Sequence, residues 1–517
     1  MSHPELADFL EVAGDFQLGS LDTERPNPLT KDLSELSREN LPSAVDLLKE
    51  VDRRALRLSA TKMSDLVPLA EEIRKTIDGG GKVFLCGCGA TGRLSISLEI
   101  YARRGLLRGA TEKNVIGFMA GGDAALIRSI ERFEDRPDYG ERQLSELGFG
   151  GNDLLIASTE GGETPFVIGC AEMAARQSRR SPFFLYCNPD EVLARSAERS
   201  RRVLENPSIQ KINLSVGPMA LSGSTRMQAS TVLMAAIGFS MMCSDEPDKI
   251  RQKFDAWRDW AVEQCDWSFL SDFIEAESNL YREGGFVLYE PGDFDIAVLT
   301  DTTERSPTFT LTPFERVGES EPPSRCFLHI SEACSAYEAW RKILDREPRP
   351  LDWGDLRHLT GSEALTRFDF SDAGMEQREA RLNGARQEVF RIGKDRNGRV
   401  VWSFQNLHRE LEGTENVDEL QINLLVKMLL NTHSTLIMGR LGRYEGNLMS
   451  YVSANNFKLI DRAIRYVRLL MERDCGGAPS YEDTAHQLLV ERSKLQPDEP
   501  IVLKTVASLR EKMTGSD

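Results

Sequence analysis

Residues 82–99 read KVFLCGCGATGRLSISLE, and this stretch decides the fold of the first half of the chain. It begins with a short apolar run typical of a buried β-strand, passes through closely spaced glycines, and continues with helical spacing. The loop GCGATG matches the pattern G-x-G-x-x-G, in which backbone amides at a helix N-terminus bind phosphate. The sequence therefore predicts a strand, an anion-binding loop and a helix.

The same loop raises the question of a dinucleotide cofactor. A dinucleotide fold places an acidic residue at the end of its second strand, about 20 residues after the loop, to hold the ribose. Here the second strand, NVIGFM, is followed by AGGD, and Asp123 comes about thirty residues after Gly92. Because the acid is late and follows two more glycines, we expect no nicotinamide or flavin, and no other cofactor.

Short apolar runs alternate with helical stretches downstream of this loop. The runs are VFLCG, NVIGFM, DLLIAS, FFLYCN and KINLSV. This alternation predicts an α/β domain whose parallel sheet is covered by helices on both faces. A second, weaker round of this pattern begins near Phe269, and within it GGFVLYEPGDFDIAVLTDTTE, residues 284–304, echoes the opening and indicates a duplicated domain. A hairpin on Asn397 and Gly398 is also predicted.

These patterns divide the chain into five predicted parts. They are an N-terminal helical segment over 1–60, a first α/β domain over 61–265, a second, degenerate domain over 266–420, long helices over 421–470 that return to the domain interface, and a C-terminal helical tail over 471–517.

Composition excludes several classes of partner. The net charge of −17 argues against nucleic acid or an anionic membrane as the main partner. The N-terminal stretch MSHPELADFLEV lacks the pattern of a signal peptide, and no run is long enough to span a bilayer. The nine cysteines are scattered in apolar contexts, which indicates free thiols in a reducing cytoplasm. The six dispersed histidines predict no metal site.

Three further loops follow strands of the first predicted sheet and are rich in hydroxyls or glycine: TEGGETP, CNPD and LSGSTRM. Since the carboxyl ends of parallel strands share one edge of a sheet, these loops can converge on a single phosphate. The alternative is that their serines and threonines cap helices. Both interpretations stay open at this point.

Motifs in a fixed order resemble a known family. GCGATGR, AGGD with ERFED, TPFVIG, CNPD, SGSTRM and NTHSTLIMGRLGRYEGNLMSYVSANNFKL are similar to motifs of the N-acetylmuramic acid 6-phosphate etherases and of their relative, the glucokinase regulatory protein. Both use the sugar-isomerase (SIS) fold. The opening PNPLTKDL and the second domain resemble the regulatory protein more closely, because the etherases carry one SIS domain and pair as homodimers.

The resemblance implies two carboxylates, a base in ERFED and an acid after the glycine loop. It places the base at Glu134. The acid position of the first domain holds Tyr101, whereas DTTERSPTFT of the second domain offers Glu304. The resemblance therefore implies that Glu134 and Glu304 face one sugar phosphate, and that they act in catalysis if the chain is an etherase.

The resemblance also implies a set of ligand-binding residues. They are Gly89, Ala90, Thr91, Glu134, Thr159, Glu160, Gly161, Ser222, Ser224, Thr225, Glu304 and Arg443. Two departures from the family stand out in the loop TEGGETP. Gly161 replaces a serine hydroxyl, and Glu160 adds a negative charge where a phosphate is expected.

The leading functional hypothesis is a non-catalytic, ligand-responsive regulator that holds a hexose phosphate between two SIS domains. The fused second domain and Tyr101 favour it. The alternative is an N-acetylmuramic acid 6-phosphate etherase, a carbon–oxygen lyase releasing lactate, and a more distant one is an aldose–ketose isomerase. The expected ligand is a fructose phosphate or N-acetylmuramic acid 6-phosphate, and by analogy a sugar kinase is a candidate protein partner. We expect the protein in the cytoplasm.

Overall fold

A computed structural model of the chain describes residues 4–13, 18–111, 113–454, 456–496 and 498–514. Within that part, the α-helices before the first strand are α1 (Pro4–Val12), α2 (Leu33–Glu39), α3 (Leu41–Ala60) and α4 (Val67–Asp78). α3 begins where the Asn40 side chain accepts a hydrogen bond from the amide of Ser43. Its apolar residues lie on one face, so it packs that face on the core.

The first sheet has five parallel strands in the order β2-β1-β3-β4-β5. They are β1 (Val83–Gly87), β2 (Val115–Met119), β3 (Leu154–Ser158), β4 (Phe183–Tyr186) and β5 (Gln210–Asn213). All residues of β1 to β4 are buried, as expected for a parallel sheet with helices on both faces. The five predicted strands and their parallel arrangement are thus confirmed.

Helices connect these strands and cover both faces of the sheet. They are α5 (Gly89–Tyr101), α6 (Glu131–Glu134), α7 (Pro137–Glu146), α8 (Pro165–Gln177), α9 (Asp190–Ser196), α10 (Glu198–Glu205) and α11 (Gln228–Met242). α5 approaches the sheet very closely. A Cβ on Gly92 would stand 2.4 Å from the Cβ of Met119, so only glycine fits there. This glycine of the fingerprint therefore serves helix–sheet packing.

Two helices lead into the second half of the chain, α12 (Ile250–Asp259) and α13 (Leu270–Arg282). The second sheet has the order β10-β9-β8-β6-β7. Its strands are β6 (Phe286–Glu290), β7 (Cys326–Leu328), β8 (Gln387–Lys394), β9 (Val400–Phe404) and β10 (Leu407–Leu411). Its helices are α14 (Asp295–Phe309), α15 (Ala336–Leu344), α16 (Arg357–Thr360), α17 (Ser362–Thr366) and α18 (Asp372–Leu382).

The second sheet is mixed, with both parallel and antiparallel pairs of strands. β6 pairs in parallel with β7 and β8, whereas β8, β9 and β10 pair antiparallel. The reason is the predicted turn at Asn397 and Gly398, which joins β8 directly to β9 and leaves no room for a crossover helix. The repeated strand–loop–helix opening is present as β6 and α14.

The chain then forms α19 (Glu419–Arg440), a small hairpin of β11 (Tyr444–Glu445) and β12 (Leu448–Met449), and the helices α20 (Phe457–Cys475), α21 (Tyr481–Arg492) and α22 (Ile501–Thr514). α19 is buried along almost its whole length and contacts α2, α3, α11, α13 and α14. Because helices on both sides cover it, α19 joins the two sheet units through one continuous core.

A segment after α15 straps the second unit onto the first. The Arg346 guanidinium donates to both carboxylate oxygens of Asp123, at 2.6 and 2.8 Å, and to Glu99 at 3.1 Å. Leu351 and Trp353 then pack into the apolar cluster on the outer face of the first sheet. All nine cysteines are free, and seven of them are buried. Within the described part, no helix is both long and apolar enough to cross a membrane.

Candidate functional site

A cavity of about 130 Å³, here called the outer cavity, opens at the carboxyl ends of β1 and β3. Its walls come from the chain before α2, from loops after these strands, and from α20. The lining residues are Leu18, Leu21, Thr23, Glu24, Cys88, Gly89, Ala90, Glu134, Glu160, Gly161, Glu163, Thr164, Thr225, Lys458 and Arg462. The loops predicted to converge at this sheet edge thus do so, except CNPD.

The glycine loop places the N-terminus of α5 at this cavity. Gly89 has a φ of +50°, a value that favours glycine, and it lines the wall with Ala90. The Thr91 hydroxyl bonds to the backbone instead. Its hydroxyl donates to the carbonyl of Cys88 at 2.9 Å and accepts from the amide of Cys88 at 3.0 Å. The structure therefore uses this predicted ligand residue as a helix cap.

The loop between β3 and α8 brings Glu160, Gly161, Glu163 and Thr164 to the cavity. The Thr159 hydroxyl is turned inward, where it lies 2.8 Å from the Thr164 hydroxyl and accepts from the amide of Gly162 at 3.3 Å. Glu160 is 8% exposed, and burial, together with Glu304 and Glu134, raises its pKa to about 7. Glu160, which the resemblance places where a phosphate is expected, thus lies inside the site.

The serine loop contributes one residue, Thr225, to the lining of the outer cavity. The Ser222 hydroxyl donates to the carbonyl of Glu24 at 2.7 Å, so it fastens the N-terminal chain. The Ser224 hydroxyl is buried and has no hydrogen-bond partner among the described residues. Of the three hydroxyls predicted here, Thr225 faces the cavity.

Two cations of α20 supply the positive charge of the outer cavity. Lys458 lies 2.6 Å from an oxygen of Glu163, and Arg462 donates to both oxygens of Glu24 at 2.6 and 3.0 Å. Burial alone would raise the pKa of Glu24 and of Glu163. The neighbouring cations outweigh burial and hold each pKa at about 2.

Sequence reasoning missed Lys458 and Arg462 and named Arg443 instead. Arg443 lines neither cavity described here. Its guanidinium lies 2.5 Å from Asp498 and stacks over the ring of Tyr451, 4.3 Å from the centroid. Lys458 is the fourth residue of the NNFKL motif, and the basic residues that follow at helical spacing are the signal that could have found both cations.

Glu134 lies at the end of α6, beside the glycine loop. Its Oε1 atom is 3.6 Å from the point where a Cβ on Gly89 would stand. A Cβ there would only be in van der Waals contact with this carboxylate. The base position implied by the resemblance therefore faces the outer cavity, next to the N-terminus of α5.

Glu304 occupies a second cavity of about 40 Å³, here called the inner cavity, between α5, α11, α14 and α19. Ala90 lines both cavities, and Tyr101 also lines the inner one. The Arg93 guanidinium donates to Glu304 at 2.6 Å. Glu134 and Glu304 therefore line different cavities that adjoin at Ala90. The inner volume suits a few water molecules and is too small for a hexose.

Ion pairs and hydrogen bonds at the inner cavity also join the two sheet units. Arg226, which precedes α11, donates to Asp301 of α14 at 2.9 Å. Lys427 of α19 donates to the Arg226 carbonyl and to the Thr231 hydroxyl, each at 2.9 Å. Burial lowers the pKa of Lys427 to about 8. These contacts fix α14, and with it Glu304, against the first unit.

The equivalent loop of the second unit is closed. A Cβ on Gly292 would meet the backbone of β8 at 3.0 Å, and Asp293 accepts from the amide of Lys394 at 2.9 Å. The loop is therefore packed against its own sheet. Among the described residues, no cluster of histidine, cysteine or carboxylate side chains could hold a metal ion.

Comparison with known proteins gives two kinds of relative. The family "Glucokinase regulatory protein N-terminal SIS domain" matches residues 65–175. The N-acetylmuramic acid 6-phosphate etherase of Salmonella agona (strain SL483) is 33% identical over 216 residues, which cover 41% of this chain and 66% of that protein. The etherase of Trichodesmium erythraeum (strain IMS101) is 32% identical over 222 residues, which cover 43% and 66%.

The chain thus spans 66%, just under two thirds, of the length of these relatives. Among solved structures, the tagatose-6-phosphate ketose/aldose isomerase from Escherichia coli matches with a TM-score of 0.40 and 10% identity, covering 77% of this chain and 93% of that one.

Proposed function

The chain is a SIS-domain protein similar to the N-acetylmuramic acid 6-phosphate etherases and to the glucokinase regulatory protein, and from this premise we propose that it binds a hexose phosphate in the outer cavity without cleaving it. The bound sugar phosphate would act as a signal rather than as a substrate. The etherases act on a sugar phosphate, whereas in this proposal the sugar phosphate is bound and not cleaved.

The walls of the outer cavity support a phosphate ligand. α5 begins at Gly89 and α8 follows Thr164, both at the cavity, where first-turn amides without a partner inside the helix and the helix dipole favour an anion. Thr225 adds a hydroxyl, and Lys458 and Arg462 add positive charge. Four carboxylates line the same cavity, so the sugar hydroxyls also find acceptors there. This combination suits a molecule with one phosphate and several hydroxyls.

The cations are already paired with Glu163 and Glu24. A phosphate entering between them would share or replace these partners rather than meet bare charges. This exchange of ion-pair partners would couple ligand binding to the position of α20 and of the chain before α2, which carries Glu24. A protein in which ligand binding rearranges contacts between three segments is suited to a regulatory role.

The observation that carries the non-catalytic proposal is the ion pair of Arg93 with Glu304, at 2.6 Å. Ether cleavage needs a protonated acid to release lactate. A guanidinium next to a carboxyl group favours the ionised form, which has no proton to give. Glu304 also lies in a cavity too small for the sugar, and Tyr101 stands at the other acid position.

An etherase remains the second candidate, and one observation favours it. Glu134 lies next to the glycine loop on the wall of the outer cavity, where a base would stand, in a chain 33% identical to etherases over 216 residues. The sugar kinase as a protein partner and the cytoplasmic location stay predictions.

One experiment separates the two candidates. The purified chain is incubated with N-acetylmuramic acid 6-phosphate and lactate release is followed, with E134Q as the test variant and E412Q, on the exposed surface, as its control. We expect no lactate from any of the three proteins. Turnover by the wild type and E412Q that E134Q loses would contradict the non-catalytic proposal and support the etherase.

The binding part has its own readout. Thermal unfolding is measured with fructose 6-phosphate, fructose 1-phosphate and N-acetylmuramic acid 6-phosphate at millimolar concentration. A ligand that binds only the folded chain raises Tm. We expect at least one sugar phosphate to do so, while fructose and glucose leave Tm unchanged. If no sugar phosphate shifts Tm, the outer cavity is not a hexose-phosphate site.

A further inference from the structure

Glu160 has an unusual position in the outer cavity. It follows β3, and its carbonyl accepts a hydrogen bond from the amide of Cys187 at 3.0 Å, which fixes the loop. The residue is 8% exposed and lines the cavity beside Gly161. The Ser230 hydroxyl donates a long hydrogen bond of 3.4 Å to its carboxylate, and its own backbone amide also interacts with that carboxylate.

No lysine, arginine or histidine among the described residues lies within ion-pairing distance of Glu160. This distinguishes it from Glu24 and Glu163, which line the same cavity and are each held by two cations. A buried carboxylate without a cation is costly in its charged form. The chain therefore keeps, where the proposed phosphate binds, an acid with no cationic partner among the described residues.

The groups that face Glu160 come from every element around it. The acids are Glu134 of α6 and Glu304 of α14, the bases are Lys458 of α20 and Lys427 of α19, and the thiols are Cys88 and Cys187. Burial raises the pKa of both thiols, so they stay neutral at pH 7. Both lysines have other hydrogen-bond partners.

From this placement, and resting on the proposed function, we propose that Glu160 is a specificity-determining residue that meets the phosphate as its protonated acid, donating its O–H to a phosphate oxygen. An ionised Glu160 would repel the phosphate within the same small cavity, whereas the neutral acid adds a donor to the amides of the loop. Binding of the phosphate dianion is then accompanied by the uptake of one proton by Glu160. Ligands are selected by their ability to accept the hydrogen bond from this acid.

The direction of the pH dependence follows from the charges. Burial raises the pKa of Glu160 to about 7, so the free protein loses this proton as the pH rises through 7. The phosphate ester has its second pKa near 6 and is mostly the dianion above pH 6.5. Its own titration therefore favours binding slightly as the pH rises. A loss of affinity between pH 6.5 and 8.5 must come from the protein, and one proton with this pKa predicts about a 25-fold loss.

The test measures Kd for fructose 6-phosphate at pH 6.5, 7.5 and 8.5 by calorimetry, with the wild type, E160Q and the exposed-surface control E412Q. We expect the wild type and E412Q to lose affinity by about 25-fold over this range. E160Q, whose amide donates a hydrogen bond at every pH, should vary less than threefold and bind more tightly than the wild type at pH 8.5.

A second measurement needs no variant. Calorimetry of the wild type at pH 7.5 in phosphate-free buffers of different ionisation enthalpy gives the number of protons bound with the sugar phosphate. We expect a net uptake of between half a proton and one proton, and uptake near zero would overturn the proposal. The proposal is also overturned if E160Q, shown to be folded by its thermal melt, keeps the pH dependence of the wild-type Kd. Another group such as Lys427 would then cause that pH dependence. If neither protein binds fructose 6-phosphate, N-acetylmuramic acid 6-phosphate or fructose 1-phosphate at any pH, the proposed function itself fails.

Discussion

Nη1 of Arg93, on the helix after the glycine loop, lies 2.6 Å from Oε1 of Glu304, on the corresponding helix of the second unit. The same guanidinium donates to the carbonyl of Leu126 through Nε and Nη2, at 3.2 and 2.9 Å. Both side chains are largely buried, with 3% and 14% of their surface exposed. One residue thus holds together two units of the chain and removes a potential acid from the site.

The first prediction concerns this pair. R93M leaves Glu304 as a buried charge with no cation, which should lower the free energy of unfolding by about 3 kcal/mol. E304Q should cost less, because Arg93 keeps the Leu126 carbonyl. The double variant should recover part of the loss, giving a coupling energy above about 1 kcal/mol in urea unfolding. Simple additivity of the two single variants would show that the pair contributes nothing to stability.

The second prediction concerns the source of positive charge. K458M removes a charge-assisted contact from the outer cavity, and we expect Kd for fructose 6-phosphate to rise by about 10- to 100-fold. R443M should change Kd less than twofold, because Arg443 is held by Asp498 and Tyr451 away from the cavity. Both variants are measured by calorimetry at pH 6.5. If R443M raised Kd and K458M did not, Arg443 would be the ligand-binding cation, as the sequence predicted.

The third prediction concerns acid stability. The cations around Glu24 outweigh burial and lower its folded pKa from 4.5 to about 2. A depressed pKa contributes stability that is complete above about pH 5 and is lost as the pH falls towards 2, by about 3 kcal/mol for one such group. Urea unfolding of the wild type should show this loss between pH 5 and 3. E24Q should be less stable at pH 7 and show a shallower slope, and an unchanged slope would contradict the assignment.

The fold could be predicted from the sequence because strands of a parallel sheet are continuous apolar runs. All five strands of the first sheet stood out for this reason. The second sheet was harder to predict, since half of it is antiparallel and β9 alternates buried with partly exposed residues. The turn at Asn397 and Gly398 could be predicted from the sequence. That this turn makes the second sheet mixed could not.

The site could be predicted as a set of loops but not as a set of side chains. Thr91, Thr159 and Ser222 were named for their hydroxyls, which in the structure bond to the local backbone or to the N-terminal chain. A hydroxyl in a loop satisfies a nearby backbone group as readily as a ligand, and sequence does not separate the two. Lys458 and Arg462 reach the cavity from about 370 residues beyond the glycine loop, through tertiary packing alone.

The last prediction concerns the strap that joins the two units. Arg346 is 5% exposed at its side chain and binds Asp123 and Glu99, which are 4% and 0% exposed. R346M would leave the Asp123 carboxylate with the amide of Arg349, at 2.6 Å, as its remaining close partner in the strap. Burial alone raises the pKa of Asp123, and Arg346 is the group that lowers it most. We therefore expect R346M to lower the free energy of unfolding by about 3–5 kcal/mol.

Arg341 supplies the matched control, because it also pairs with a glutamate, Glu347 at 2.8 Å, but both side chains are more than half exposed. R341M should cost less than about 1 kcal/mol. Urea unfolding of both variants, followed by tryptophan fluorescence, compares a buried and an exposed ion pair only a few residues apart. Equal costs for the two variants would mean that the strap does not hold the units together through charge. The apolar contacts of Leu351 and Trp353 with the first sheet would then have to fix the second unit in place.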